Sequence, residues 1–418
     1  MELEKYSIGI GDRFGFEGAA QLRALQKAEE LGVQIVPVWN KSNREHAIIG
    51  TSPEDTRHEA DEAVKACNWQ RSYYVDADHI GLPTVDGFLS SSDFFTIDVA
   101  DHLGKLANRD ATASFLRAMQ PFKGTLIIPG IAAPFNVTDE LLKNIARKYL
   151  HAAEEAGKVY RYIADRKGVG RFVAEVSLDE ANNPQTPDEL FFILAAIARE
   201  RIPLQTIAPK FTGSFLKGVD YVGEIDKFKH EFDDDLAVLA FAVKTFGLPR
   251  NLKLSIHSGS DKFSLYPIIN QAIRKFDAGL HLKTSGTTWL EEVIGLAASD
   301  GDGLRLAKEV YAEAFKRVDE LCKPYLTVVD IDNRRLPEPK QVNSWNAVRY
   351  TEALQHDESS ENYNLHFRQL VHVGYKVAAE MNGRFTSLLQ RYRSEIEVKV
   401  TTNIFNRHIQ PLFLGQNG

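Results

Sequence analysis

Hydrophobic and polar positions alternate through Leu252-Lys253-Leu254-Ser255-Ile256-His257, and the run then breaks into Ser258-Gly259-Ser260-Asp261-Lys262 before a helical stretch. A period of two predicts a β-strand with Leu252, Leu254 and Ile256 on one face and Ser255 and His257 on the other; the polar break marks its carboxyl end. The same succession recurs along the chain. Residues 6–11 read as a strand ending in Asp12-Arg13, after which Ala19, Leu22, Leu25, Ala28 and Leu31 repeat at helical spacing up to a stop at Gly32. Residues 34–39 read as a strand leading into Asn40-Lys41, and 72–79 as one whose end carries Asp76, Asp78 and His79. Residues 91–119 read as mostly helical and 125–129 as the fourth strand.

In the second half the punctuation is sharper. Thr138 caps a helix that stops at Gly157, and 171–178 is a strand carrying Glu175 and ending in Asp179-Glu180. Thr186-Pro187-Asp188-Glu189 is a capping box with proline at the first helical position. Residues 204–208 lead to Lys210, and 279–283 carry His281 and Lys283 into a loop of small residues, Thr284-Ser285-Gly286-Thr287-Thr288. That loop precedes a helix and has the character of an anion-binding turn. Eight strand–helix alternations by residue 298 predict a TIM (β/α)8-like barrel over residues 1–300, with an open doubly wound sheet as the alternative. No strand–GxGxxG–helix unit supports dinucleotide binding. Residues 325–330 are also strand-like; if they belong to the barrel, 125–129 is an insertion. Residues 301–418 lose the alternation and predict a mostly helical extension that packs on the barrel or forms an oligomer contact.

Composition narrows the function. A net charge of −7 offers no basic footprint for nucleic acid. No apolar run reaches the ~18 residues of a membrane helix. The N-terminus is charged and enters a strand at once, which does not read as a signal peptide. Two distant cysteines, Cys67 and Cys322, form neither a metal motif nor a disulfide framework and fit a reducing cytoplasm.

In a barrel, strand ends converge on one mouth. The residues so placed are Asp12, Arg13, Asn40, Lys41, Asp76, Asp78, His79, Glu175, Lys210, His257, Asp261, His281 and Lys283. Histidines with carboxylates are the donor set of a divalent ion of the Zn, Mn, Ni or Co type. Each also has a structural reading: a lone histidine is usually not a ligand, Asp78 can cap a loop, and Asp76 can orient His79. Glu175 lies in an otherwise apolar strand, so its carboxylate needs a partner or a chemical task. In the tail, His366, Arg368 and His372 are either part of an amphipathic helix or a group that folds over the mouth and offers Arg368 to an anionic substrate. Lys210, Lys262 and Lys283 can serve an anion in the same way.

Tyr6-Ser-Ile-Gly-Ile-Gly-Asp-Arg-Phe-Gly, Val75-Asp-Ala-Asp-His-Ile-Gly, Ile256-His-Ser-Gly-Ser-Asp-Lys-Phe, His281-Leu-Lys-Thr-Ser-Gly-Thr and Arg368-Gln-Leu-Val-His-Val-Gly-Tyr-Lys together resemble the tagaturonate epimerase family over essentially the whole chain. The resemblance implies a metal-dependent isomerase interconverting D-tagaturonate and D-fructuronate, or, as in some relatives, tagatose and fructose. It implies Asp78 and Glu175 as the acid–base pair, and His79, His257 and His281 as metal ligands. Asp12, Arg13, Lys210, Lys283 and Arg368 are then the substrate-binding candidates. The inverted carbon lies β to the ketone, so that ketone does not acidify its C–H bond. Retro-aldol cleavage, rotation and re-addition can invert it, with carboxylates exchanging the hydroxyl proton. The alternatives are a sugar isomerase or aldolase on the same barrel, and a sugar-acid-binding protein without catalysis.

Overall fold

The computed structural model describes residues 1–416. Eight parallel strands close into a barrel: β1 (Tyr6–Ile10), β2 (Val36–Ser42), β3 (Tyr74–Ile80), β4 (Phe94–Asp98), β5 (Val173–Ser177), β6 (Thr206–Ala208), β7 (Lys253–His257) and β8 (Leu280–Lys283). Each strand lies beside the next, and β8 pairs back onto β1. The α/β barrel read from the sequence is the fold, with one strand reassigned. The fourth strand is Phe94–Asp98, inside the span expected to be helical. Residues 124–126 pair instead with 135–137 in an antiparallel hairpin outside the barrel. Residues 325–330 form a 3-10 turn and irregular backbone rather than a strand.

The reassignment has a physical cause. Phe94-Phe95-Thr96-Ile97 is buried on both faces, so it shows no polar alternation. Only a 3-10 turn, Val85–Phe88, separates it from β3, so no helix punctuates the pair.

Outward-facing Ile8, Val75, Phe95, Val176, Leu254, Ile256 and Leu282 join the large core between barrel and helices. Inside the barrel, Val36, Val38, Tyr74, Phe94 and Val173 form a separate apolar plug with Leu3. Above the plug the interior is polar. Strand register sets Thr96 beside Glu175, and Lys283 beside both Gly9 and His257. A Cβ on Gly9 would lie 3.0 Å from the Lys283 Cα, so glycine there is what lets the lysine run up the barrel wall.

Past residue 300 the described residues form helices and turns. Helix Arg393–Thr402 packs on both Gly18–Glu30 and Gly286–Ala298, and the segment Asn403–Leu414 packs on Gly18–Glu30 and Tyr266–Lys275. Thr401 donates to Ala20 O at 2.8 Å, and Trp289 Nε1 to Val371 O at 2.8 Å, tying the extension to the barrel helices. Among the described residues no helix is long and apolar enough to cross a membrane.

Candidate active site

The carboxyl ends of the strands open into a cavity of about 660 Å³. Charged side chains line it: an acidic and imidazole group that includes Asp78, His79, Asp98, Asp179 and His257, and a cationic group of Arg13, Arg44, Lys210, Lys217 and Lys283. The tail adds Pro324, Tyr325, Thr327 and Val328 to the wall.

His79 comes from the end of β3, Asp179 from the loop after β5 and His257 from the end of β7. One ligand atom from each lies within 4.8 Å of the others. The two imidazoles meet edge to face at 5.2 Å. His257 Nδ1 lies 3.0 Å from Asp179 Oδ2, and His79 Nδ1 lies 3.0 Å from Asp98 Oδ2. His79 sits at φ +50°, where the β3–β4 register shifts between Ala77 and Ile80. A non-glycine residue in this left-handed region costs ~1–3 kcal/mol, and such strain clusters at functional sites because it aims a side chain. Here the bulge turns the imidazole toward the mouth. Burial alone would lower both histidine pKa values. The carboxylates outweigh it: Asp179 and Glu175 hold His257 up at about 9, and Asp78, Asp179 and Asp98 raise His79 well above the usual imidazole range.

Beneath this group lies a buried network on Lys283. Its Nζ donates to Asp76 Oδ2 at 2.7 Å and Asp78 Oδ1 at 2.8 Å, and lies 3.1 Å from Glu175 Oε1. Thr96 Oγ1 donates into the same set, 3.0 Å from Asp76 and 3.1 Å from Glu175. Burial pushes Asp76 up to about 7 against the pull of Lys283. Burial acts on Asp78 too, but Lys283 and the two histidines win and hold it at about 2. Glu175 is likewise kept well below the carboxylate range by Lys283 and His257 despite complete burial. Its Oε1 lies 2.8 Å from His257 Nε2.

The structure distributes the remaining sequence candidates differently. His281 does not join His79 and His257; Asp179 does. His281 is on the same inward face as Lys283 but two residues, ~6–7 Å, deeper. There its Nδ1 meets Ser7 Oγ at 2.8 Å, its ring lies 5.2 Å from Phe94, and burial holds it neutral, with its pKa down at about 3. Asp12 faces its own loop: Oδ1 accepts from Phe14 N at 2.8 Å, and Oδ2 from Glu17 N at 2.7 Å. Lys41 is buried and donates to Arg13 O at 3.3 Å. Arg13 lines the cavity, ion-paired to Glu45 and stacked 4.8 Å from Tyr375. Lys210 lines it as well, its Nζ bonded to Ala181 O.

Arg368 does not reach the cavity. It is fully buried and donates to Asp261 Oδ2 at 2.6 Å and to the carbonyls of Gly218 and Leu354. Asp261 also receives Thr287 and lies 3.0 Å from His356 Nδ1 and 3.4 Å from His408 Nε2. This knot ties the loop after β7 to the extension. Lys262 belongs to the same loop packing, donating to the carbonyls of Leu216 and Val219 at 3.0 and 2.9 Å. Removing one partner of a buried pair strands the other charge, so Arg368→Met should cost ~3–5 kcal/mol. Chemical denaturation reads this directly, and a loss below ~1 kcal/mol would show that Asp261 is satisfied without it.

Sequence reasoning missed Asp179, Arg44 and Lys217. Asp179 had a signal, an acidic strand end directly after Glu175. The two cations look like solvated surface charges until the fold brings them to one tyrosine pair.

Comparison with known proteins agrees with this architecture. The sequence model of the tagaturonate epimerase family, UxaE, matches residues 1–412. A tagaturonate/fructuronate epimerase of Thermotoga maritima is 27% identical over 422 residues, spanning 97% of this chain and 80% of that protein. Two crystal structures of fructuronate-tagaturonate epimerase UxaE from Cohnella laeviribosi, one with a single glycerol and one native, match with TM-scores of 0.80 and 0.79. Each is 21% identical and covers 99% of this chain and 82% of its own, a likeness that shows a shared fold. By the extent of the family match, this chain belongs to the tagaturonate epimerase family.

Proposed function

We propose that the chain is a tagaturonate/fructuronate epimerase that works with a divalent metal ion held by His79, Asp179 and His257. The observation that carries this reading is the convergence of those three ligand atoms, from three separate strand ends, at the mouth of the barrel. The donor chemistry fits: two imidazoles and a carboxylate suit a borderline ion and leave positions for substrate oxygens. The surroundings fit as well: once the two imidazoles ligate as neutral groups, Asp78, Asp98 and Glu175 stand beside the ligands with Lys283 as the one cation paired to Asp78 and Glu175, which leaves net negative charge at the site. Such an ion would supply Lewis-acid polarisation of the substrate's ketone and hydroxyl oxygens.

The protein's own groups divide the rest of the work. Asp78, ionised and in the cavity wall, accepts the proton of the β-hydroxyl at Oδ1. Lys283 Nζ bridges Asp78 to Asp76, whose carboxyl titrates near neutrality and can hold that proton while the carbon–carbon bond is open. Glu175 lies below the wall. In this reading it orients His257 and Lys283 rather than touching substrate. Arg44 and Lys217 have no ion pair among the described residues and lie 5.8 and 5.0 Å from the Tyr325 ring centre, which itself is bonded to Tyr375 hydroxyl to hydroxyl at 2.7 Å. With Arg13 they form the cationic part of the cavity and receive the substrate's carboxylate.

The test is a side-by-side assay of D-tagaturonate, D-fructuronate, D-tagatose and D-fructose on chelator-treated protein resupplied with Zn²⁺, Mn²⁺, Ni²⁺ or Co²⁺. Metal-restored exchange of the two hexuronates is expected. An aldose product would mean an isomerase, two fragments an aldolase, and no turnover with any metal a binding protein.

The raised histidine pKa values give a second expectation. At pH 7 both His79 and His257 carry a proton that a ligating imidazole must lose, so binding should release about two protons and tighten as pH rises toward 9. Calorimetry in buffers of different ionisation heat measures the release. Uptake that is independent of pH would place the ion elsewhere.

A further inference from the structure

A second group of ligand-type side chains lies outside the mouth. His102, in the 3-10 turn Ala100–His102 directly after β4, faces His151 and Glu155 near the start of helix His151–Lys167. One ligand atom of each lies within 4.8 Å of the others, and all three residues are half-buried. The spacing of four puts His151 and Glu155 on one helix face. The two imidazoles are 5.8 Å apart, and His102 Nδ1 is buried with no hydrogen-bond partner among the described residues. The backbone fixes the geometry: Gly104 N donates to Lys148 O at 2.8 Å, fastening the turn to the residues just before His151. Those residues, Ala146–Leu150, form a π-helical turn, a local distortion that recurs at functional sites because it rotates the following side chains.

We infer that His102, His151 and Glu155 form a second site for a divalent ion of the zinc class, which clips the segment after β4 to the helix. Two imidazoles exclude a magnesium or calcium site and suit Zn²⁺, Co²⁺ or Ni²⁺, with a carboxylate as third ligand and water completing the shell. Glu154 Oε2, 3.8 Å from His151 Nδ1, is placed to orient that ring once His151 binds through Nε2. Lys158 now pairs with Glu155, but it is half-exposed, and an ion pair of that kind is weak enough to yield to a divalent cation. The clipped segment begins at Asp98, the residue that meets His79 Nδ1 at the mouth. An ion here therefore steadies the turn behind His79 without touching substrate.

The experiment titrates the full-length, chelator-stripped chain with Zn²⁺ by calorimetry, for the wild type, His102→Ala, Glu155→Gln and a His79→Ala/His257→Ala double variant. Two equivalents are expected for the wild type. His102→Ala and Glu155→Gln should each leave one equivalent, with the heat of the other lost from the titration. The double variant should keep one equivalent and still melt higher with Zn²⁺ than without. Glu155→Gln preserves shape, so it decides the matter if His102→Ala folds poorly. Two undiminished equivalents in both single variants overturn the inference. So does a single wild-type equivalent that vanishes in the double variant, which leaves the mouth site standing. A single equivalent that vanishes in Glu155→Gln supports the second site and removes the mouth site instead.

Discussion

Lys283→Met should lower the unfolding free energy by ~3–5 kcal/mol, the range for stranding buried charge by removing its partner. The expectation rests on how much that one ammonium does. It holds Asp76 and Asp78 at hydrogen-bond distance and lies 3.1 Å from Glu175, all three carboxylates buried inside the barrel. Methionine fills similar volume, so the loss isolates the charge rather than a cavity. Without the lysine the carboxylates escape mutual repulsion by taking up protons, so their pKa values rise and the defect should be larger at pH 8 than at pH 5. Adding Asp76→Asn and Glu175→Gln should recover part of the loss, because fewer charges are then left alone. Thermal melting at both pH values is the measurement. A melting point within ~2 °C of the wild type at pH 8 would show that the network is not held by its cation.

His257→Gln should lower turnover on the hexuronates by ~10²–10³-fold, the scale on which a preorganised electrostatic group contributes. His257 is the hinge of the proposed site: one nitrogen faces Asp179 and the other faces Glu175, at 3.0 and 2.8 Å. Glutamine cannot serve both, and it removes a ligand. Glu175→Gln keeps the ligand set and loses only the group that orients it, so its cost should be smaller, ~10–100-fold. That order separates a ligand from its support. If Glu175→Gln proved the more damaging of the two, Glu175 would be acting on substrate, and if His257→Gln stayed within threefold of the wild type, the ion would not be held there.

The barrel was legible where one face of a strand is polar. In β7 and β8 the inward Ser255, His257, His281 and Lys283 alternate with outward Leu254, Ile256, Leu280 and Leu282, and both strands stand where the pattern put them. In β4 the inward Phe94, Thr96 and Asp98 alternate with outward Phe95 and Ile97, so the apolar Phe94 on the inward face leaves only Thr96 to alternate before the strand end, too little for a period of two to show. The site was legible as a direction rather than as a set of contacts. Strand ends named His79, His257, Asp78 and Lys210, all of which face the cavity. Depth was readable from order along the strand: His281 precedes Lys283 on the same inward face, so it lies further from the carboxyl-end mouth, where it meets Ser7. The fate of Arg368 was not, because a cation on a helix looks the same whether it meets solvent or a carboxylate 107 residues earlier in the chain.

That last separation has a consequence for how the molecule is made. During synthesis the whole barrel sequence emerges before Arg368, the buried cation paired with Asp261, and before His356 and His408, which also face that carboxylate. The loop after β7, which follows directly on His257, can close around its ions only once the extension has been delivered. The tail is therefore the last part of the chain needed to fasten the β7 side of the barrel mouth, rather than an appendage to it.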